Sequence, residues 1–509
     1  MNKPKVTQDR SLDASLRSRG LVGVISGLPL GLTLLVILFV YLAAFSVLPG
    51  NAPTWPYTIW PLKAILGLLI LNMTLSTLLR LPLRAARLGA WLAHAGTLLL
   101  ACGSVWFMAH PAHGLVANQR PSAEMAFEPT DKLYLDYTTA LYAQVTQDGQ
   151  GELRGVPLAP QPELQQSTFD KNGGVTSVSG VVPKLPTGVS VEARQFVQAA
   201  MTDYQWQDDG PVESPGVGVT IIDAQAQPLQ EVLAPAYIFA RVMQGNGYTV
   251  RYEPAGVSPE MLAAATSAGA EVIFLTGKAE APGQVIVIHA DGKKDEVPLA
   301  VSKDIELTVA GRKLVLSVGQ FYSRAWRKTA IHPVPLEKAR PAAEVEIGIG
   351  EWHQRQWVSY DTILHKTDPA DPDLAALPLG GGRWLFLQVS QEYRKLPHPI
   401  QITRAQYETY PGSGIPKDYI CDINVLGDSG GVLSSMQCRL NKPVRLGEYR
   451  LYQGTWLGDP NRPLTIVLLG GGESGIWAVW TGMGLICIGI PYGFYVKPIL
   501  LRRGRRSTP

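Results

Sequence analysis

The histidine at position 94 has the most chemistry to offer in this chain, because it lies within an apolar run, LGAWLAHAGTLLLACGSVWFMA at 88–109, long enough to cross a lipid bilayer as a helix. An ionisable ring at membrane depth is costly and is retained where it does something. A neutral imidazole with an unprotonated ring nitrogen is a ligand for haem iron. Trp91, one turn earlier on the same face, offers a flat aromatic surface suited to a porphyrin. A hydrogen bond across a helix interface accounts for the same histidine without a ligand, with Gly89, Ala93, Gly96 and Gly103 allowing close helix approach. On spacing alone both readings stay open.

No other apolar run of the chain contains a histidine, so a bis-histidine site using His94 takes its second ligand from another polypeptide. His110 lies about 24 Å further along the same helix axis, too far to share an iron, and with His113 reads as a polar residue at the membrane surface. His289, His332, His353, His365 and His398 lack metal-ligand spacing and read as surface or structural residues. Among the cysteines, Cys102 and Cys487 fall in apolar runs and read as small packing groups. Cys421 and Cys438 flank DINVLGDSGGVLSSMQ, and a hairpin turning at Ser429–Gly430 sets them opposite each other, close enough for a disulfide in an oxidising compartment, with two unpaired thiols as the alternative. The GDSGG at 427–431 spells a serine-protease nucleophile signature, but the chain has no matching histidine context, and the same residues are ordinary turn chemistry. There is no HExxH motif and no phosphate-binding P-loop.

The elements that must position these residues are four apolar spans at 27–48, 60–79, 88–109 and 476–496, each near the 20 residues that a helix rising 1.5 Å per residue needs. A mean hydropathy of +0.06 and a net charge of +3 hide them, because a long polar insert dilutes the spans. That near-neutral balance gives no basic surplus for nucleic acid. Basic residues gather at Lys3, Lys5, Arg10, Arg17 and Arg19, at Arg80, Arg84 and Arg87, and at Lys497, Arg502, Arg503, Arg505 and Arg506. All three groups are expected on the cytoplasmic side, and the uncharged connection 49–57 with the insert 110–475 on the other. The first span is too long for a cleavable signal peptide and is followed by two more.

The fold class expected is therefore a membrane protein with four transmembrane α-helices arranged 3+1 and a large β-rich extracytoplasmic domain between helices 3 and 4. It has a cytoplasmic N-terminus at 1–26 and a basic tail at 497–509. Runs such as 175–182, 216–223, 284–290 and 383–390 are β-branched or aromatic between Gly, Pro and Asp. A hairpin is expected across Ala310–Gly311, and one short helix after a Ser258 cap with Pro259 at its first position. The proline-containing stretch 369–382 is expected to separate lobes 110–368 and 383–475.

Two stretches resemble the ResB-type (System II) cytochrome c biogenesis proteins. The first, LNMTLSTLLRLPLRAARLGAWLAHAGTLLLACG at 71–103, is similar to that family's second span, arginine turn and third span with its His-x-Gly, here His94 and Gly96. The second, at 396–456, contains LPHPIQITRAQYETYPGSGIPKDYICDINV and LNKPVRLGEYRLYQGTW, which resemble the family's LPF, Tyr-Pro-Gly, Asn-x-Pro and Tyr-Gln elements. The middle of the chain, about 115–390, matches poorly. The resemblance implies a multi-pass subunit of a haem lyase in the bacterial cytoplasmic (inner) membrane, paired with a ResC/CcsA-type partner. It implies haem b as transported substrate, apocytochrome c as acceptor, His94 as one axial ligand and Trp91 as a haem contact. A membrane-anchored β-domain scaffold or sensor without haem is the expectation from a different class.

Overall fold

The computed structural model describes residues 21–46, 60–80, 87–109, 113–147, 150–159, 175–223, 227–269, 271–278, 281, 283–332, 340–365, 371, 373–413, 415–459, 461–472 and 475–499. Helix α1 is Leu28–Ser46, α2 is Trp60–Arg80, α3 is Leu88–Ala109, α4 is Pro259–Ser267, and α5 is Ile476–Pro491, continued by a π-helical turn at Tyr492–Val496. Three stretches, Trp60–Leu79, Leu88–Phe107 and Ile476–Ile499, are long and apolar enough to cross a membrane. The first span is helical over Leu28–Ser46 among the described residues, with its apolar stretch at Leu28–Ala44. The chain breaks at Gly27, because Pro29 lacks the N–H that would continue a helix from Leu21–Ile25, and the amide of Asn72 in α2 donates instead to the Ile25 and Gly27 carbonyls. The connection 49–57, Arg84, His110 and the basic residues at 3–19 and 502–506 lie outside the described residues.

The described residues fall into two compact units. One holds the chain up to Leu135 and from Arg394 onward, and the other holds Asp136–Tyr393. The division thus falls within the long strands Thr130–Gln147 and Arg383–Thr409 rather than at 369–382. That stretch contains a strand, Ala375–Gly380, paired antiparallel with Arg383–Leu387 through a glycine turn, because Gly380, Gly381 and Gly382 supply the positive φ it needs.

In the first unit, Gly114–Gln119 pairs antiparallel with Arg462–Gly472, which pairs in turn with Tyr449–Asp459. The later part of Arg383–Thr409 pairs with Pro416–Leu426, and that with Val432–Arg439. Alternate residues face one core, among them Val116, Leu133, Ile400, Ile423, Leu451 and the pair Ile466 and Leu468.

In the second unit, a five-stranded and a four-stranded sheet share a core of Val219, Ile221, Val250, Ile273, Val285 and Leu316. Period-2 alternation gives the other face of the five-stranded sheet Val272, Phe274, Ile286 and Ile288, which pack on Ala265 of α4. Ser258 Oγ accepts from Met261 N at 3.2 Å and caps α4, as its sequence implies. The α4 segment connects the parallel strands Tyr248–Glu253 and Glu271–Thr276, a crossover that a hairpin cannot make.

The expected hairpin is also present. Asp304–Val309 and Arg312–Tyr322 turn at Ala310 (φ 51°) and Gly311 (φ 71°), both positive as a type I′ turn requires. An alanine there is strained, so Ala310→Asn is expected to stabilise the protein by about 0.5–1 kcal/mol. The thermal midpoint in detergent checks this, and an unchanged or lower value contradicts it.

Candidate functional site

Helices α3 and α5 meet backbone to backbone. A Cβ built at Gly96 would lie 2.6 Å from the Gly482 carbonyl oxygen, one at Gly89 2.6 Å from that of Gly489, and one at Gly103 2.8 Å from the Ala478 Cβ and 3.1 Å from the Gly475 carbonyl oxygen. The partners run in opposite directions at intervals of seven residues, so the helices are antiparallel and a strip of small residues holds them together. At roughly 100° per residue, His94 lies about 160° around α3 from Gly96. It therefore faces away from α5.

On that face His94 meets α2. Its Nδ1 is 2.8 Å from Oγ1 of Thr77, a side chain of 2% exposure. The Thr77 hydroxyl also lies 2.6 Å from the Met73 carbonyl, one turn back along α2. That carbonyl can only accept, so the single hydroxyl proton goes to it and Thr77 Oγ1 accepts from His94 Nδ1–H. In the neutral ring this tautomer carries its lone pair on Nε2. This is the outer partner found behind ligating histidines, where the far ring nitrogen is held by a neighbour and the near one is left for the metal. Trp91, one turn away on α3, is about 60° from His94 around the axis.

The remaining sequence candidates are placed apart from this pair. His113 packs edge-on against Phe107, with ring centroids 5.2 Å apart. His289 sits between Glu271 and Asp295, each 3.0 Å away, and His365 pairs with Asp361 at 2.8 Å, both structural ion-pair positions. Ser429 lies exposed at a hairpin tip where the Gly430 N–H donates to the Gly427 carbonyl. Among the described residues no three of His, Cys, Asp and Glu group as a metal centre.

Cys421 and Cys438 are direct cross-strand partners, in the register that the hairpin implies. In the structure both are free thiols at 0% exposure inside the apolar core. Gln453 donates to the Cys421 sulfur at 3.2 Å, and the Cys438 S–H faces the Leu451 carbonyl at 3.6 Å. Burial pushes the Cys421 thiol up to about 12 and the Cys438 thiol to about 11. Alkylation needs thiolate, so neither residue is expected to label with maleimide in the folded protein, whereas both should label on unfolding without reductant. Labelling that appears only after reductant is added would restore the disulfide.

Sequence reasoning does not reach Thr77, Asn72 or the small-residue strip of α5. For the last, a signal exists in the matched seven-residue spacing of Gly89, Gly96 and Gly103 with Gly475, Gly482 and Gly489. For Thr77 none exists, because nothing in one span says which residue of another it faces. No protein-family model matches this chain, and no curated protein matches it.

Proposed function

We propose that the chain is a ResB-like subunit of a System II cytochrome c synthetase that passes haem b across the bacterial cytoplasmic membrane for attachment to apocytochrome c. In this reading α1, α2, α3 and α5 are four spans, the β-rich domain is extracytoplasmic, and the basic flanks stay inside. His94 Nε2 is one axial ligand of the haem in transit, Trp91 lies against the ring, and a ResC/CcsA-type partner supplies the second ligand. The chain's own contribution is positioning, while the porphyrin supplies the vinyl groups that form thioethers with the acceptor's cysteine thiols.

The observation that carries this reading is the Thr77–His94 hydrogen bond, which leaves the Nε2 lone pair available. Aromatic residues support the bilayer placement. Exposed Trp60, Trp106, Trp477 and Trp480 lie toward one end of the helices, with Phe494 and Tyr495 toward the other, as in interfacial belts.

The test is to purify the protein in detergent with its co-expressed partner from haem-replete cells and record a visible spectrum. A Soret band is expected. A colourless preparation overturns the haem reading and leaves the scaffold. Thr77→Val keeps the shape and removes the acceptor, and should weaken haem retention about 10–100-fold. Retention equal to wild type would show that the hydroxyl does not orient the ligand.

A further inference from the structure

The second unit contains a cavity of about 840 Å³ whose wall includes Tyr204, Trp206, Phe239 and Tyr322, with Arg327 among its lining residues. The size is that of a small-molecule site. Arg327 is 9% exposed, and its guanidinium carbon lies 4.1 Å from the Tyr204 ring centroid and 4.5 Å from that of Phe239. One N–H of the group donates to the Leu374 carbonyl at 3.1 Å. No described carboxylate forms an ion pair with it, and Asp371 and Asp373 act on it only through space. Glu231 also lines the cavity, without pairing to Arg327.

A guanidinium has five N–H donors and keeps its charge in proteins. Burying that charge without an anion costs several kcal/mol, and two aromatic rings recover only part of it. What the site lacks is an acceptor of fork geometry, which a carboxylate supplies in bidentate form. What it already has is flat apolar surface.

We propose that this cavity binds a carboxylate carried on an aromatic ring system, with Arg327 holding the carboxylate and the Tyr204, Trp206, Phe239 and Tyr322 rings enclosing the body. The site is separate from His94, and its occupation does not depend on the haem reading. The aromatic cluster keeps it open, since Tyr237 meets Trp206, Phe239 and Trp384 edge-on with centroids 5.0, 5.6 and 5.2 Å apart and anchors the wall from behind.

The experiment is isothermal titration of the full-length protein in detergent with 1-naphthoate and with its neutral isostere 1-naphthamide. Saturable 1-naphthoate binding at least tenfold tighter than 1-naphthamide is expected. Arg327→Met should erase that preference, and Trp206→Ala should weaken 1-naphthoate binding while leaving a preference for it over 1-naphthamide. Arg327→Lys keeps charge without the fork and should reduce the preference severalfold, which secures the test if the methionine variant fails to fold. Equal binding of the two probes to wild type, no binding of either, or a preference that survives in folded Arg327→Met would overturn the proposal.

Discussion

His94→Ala is expected to remove the Soret band of the purified complex and to abolish holocytochrome c formation, while protein level in the membrane stays near that of wild type. Axial coordination depends on one nitrogen lone pair, and alanine offers none, so the loss is close to complete rather than graded. The structural cost is small by comparison. His94 is half-buried and gives up one hydrogen bond to Thr77, a net change on the order of 1 kcal/mol. The two effects therefore separate: abundance and thermal midpoint report folding, and the spectrum reports the ligand. A Soret band of unchanged intensity in His94→Ala would end the role assigned to this residue.

The second large effect is expected at the α3–α5 seam. Gly482→Leu should lower the thermal midpoint sharply and reduce the protein recovered from membranes, because a Cβ at 482 would meet the Gly96 carbonyl oxygen at 2.5 Å and the Leu100 nitrogen at 2.7 Å. Both are backbone atoms, so no side chain can swing aside and the helices must part. Overpacking of this kind costs about 1–3 kcal/mol or more. Gly484→Leu is the control, since a Cβ at 484 has nothing within 4 Å and the residue is exposed on the same helix. Similar midpoints for the two variants would refute the seam. Because α3 also carries His94, a parted seam is expected to weaken haem retention as well, but only together with the stability loss.

Several local elements are legible in the sequence because local physics decides them. The Ser258 cap, the Ala310–Gly311 turn and the strand 216–223 appear where capping, turn preference and alternation place them. The register of Cys421 against Cys438 follows from the turn between them. Their oxidation state does not follow from register, because it depends on how the sulfurs are surrounded in the core. Two further features are invisible to residue type alone. Hydropathy counts apolar residues without seeing that Asn72 holds a helix break at Gly27, and a proline-containing stretch reads as a linker although its glycines form a tight hairpin.

The sequence by itself determined four apolar runs, three of which form helices long and apolar enough for a bilayer among the described residues, a β-rich region before the last of them, and one histidine set within an apolar helix, since each of these depends on residue type and spacing along the chain. Only the tertiary structure decided that Thr77 orients that ring, that Gly96 faces Gly482 from the far end of the chain, and that Arg327 is buried among aromatic rings without an ion-pair partner among the described residues. These are contacts between distant segments, set by packing that buries apolar surface on all sides at once. No periodicity within a single segment records which segment lies against it.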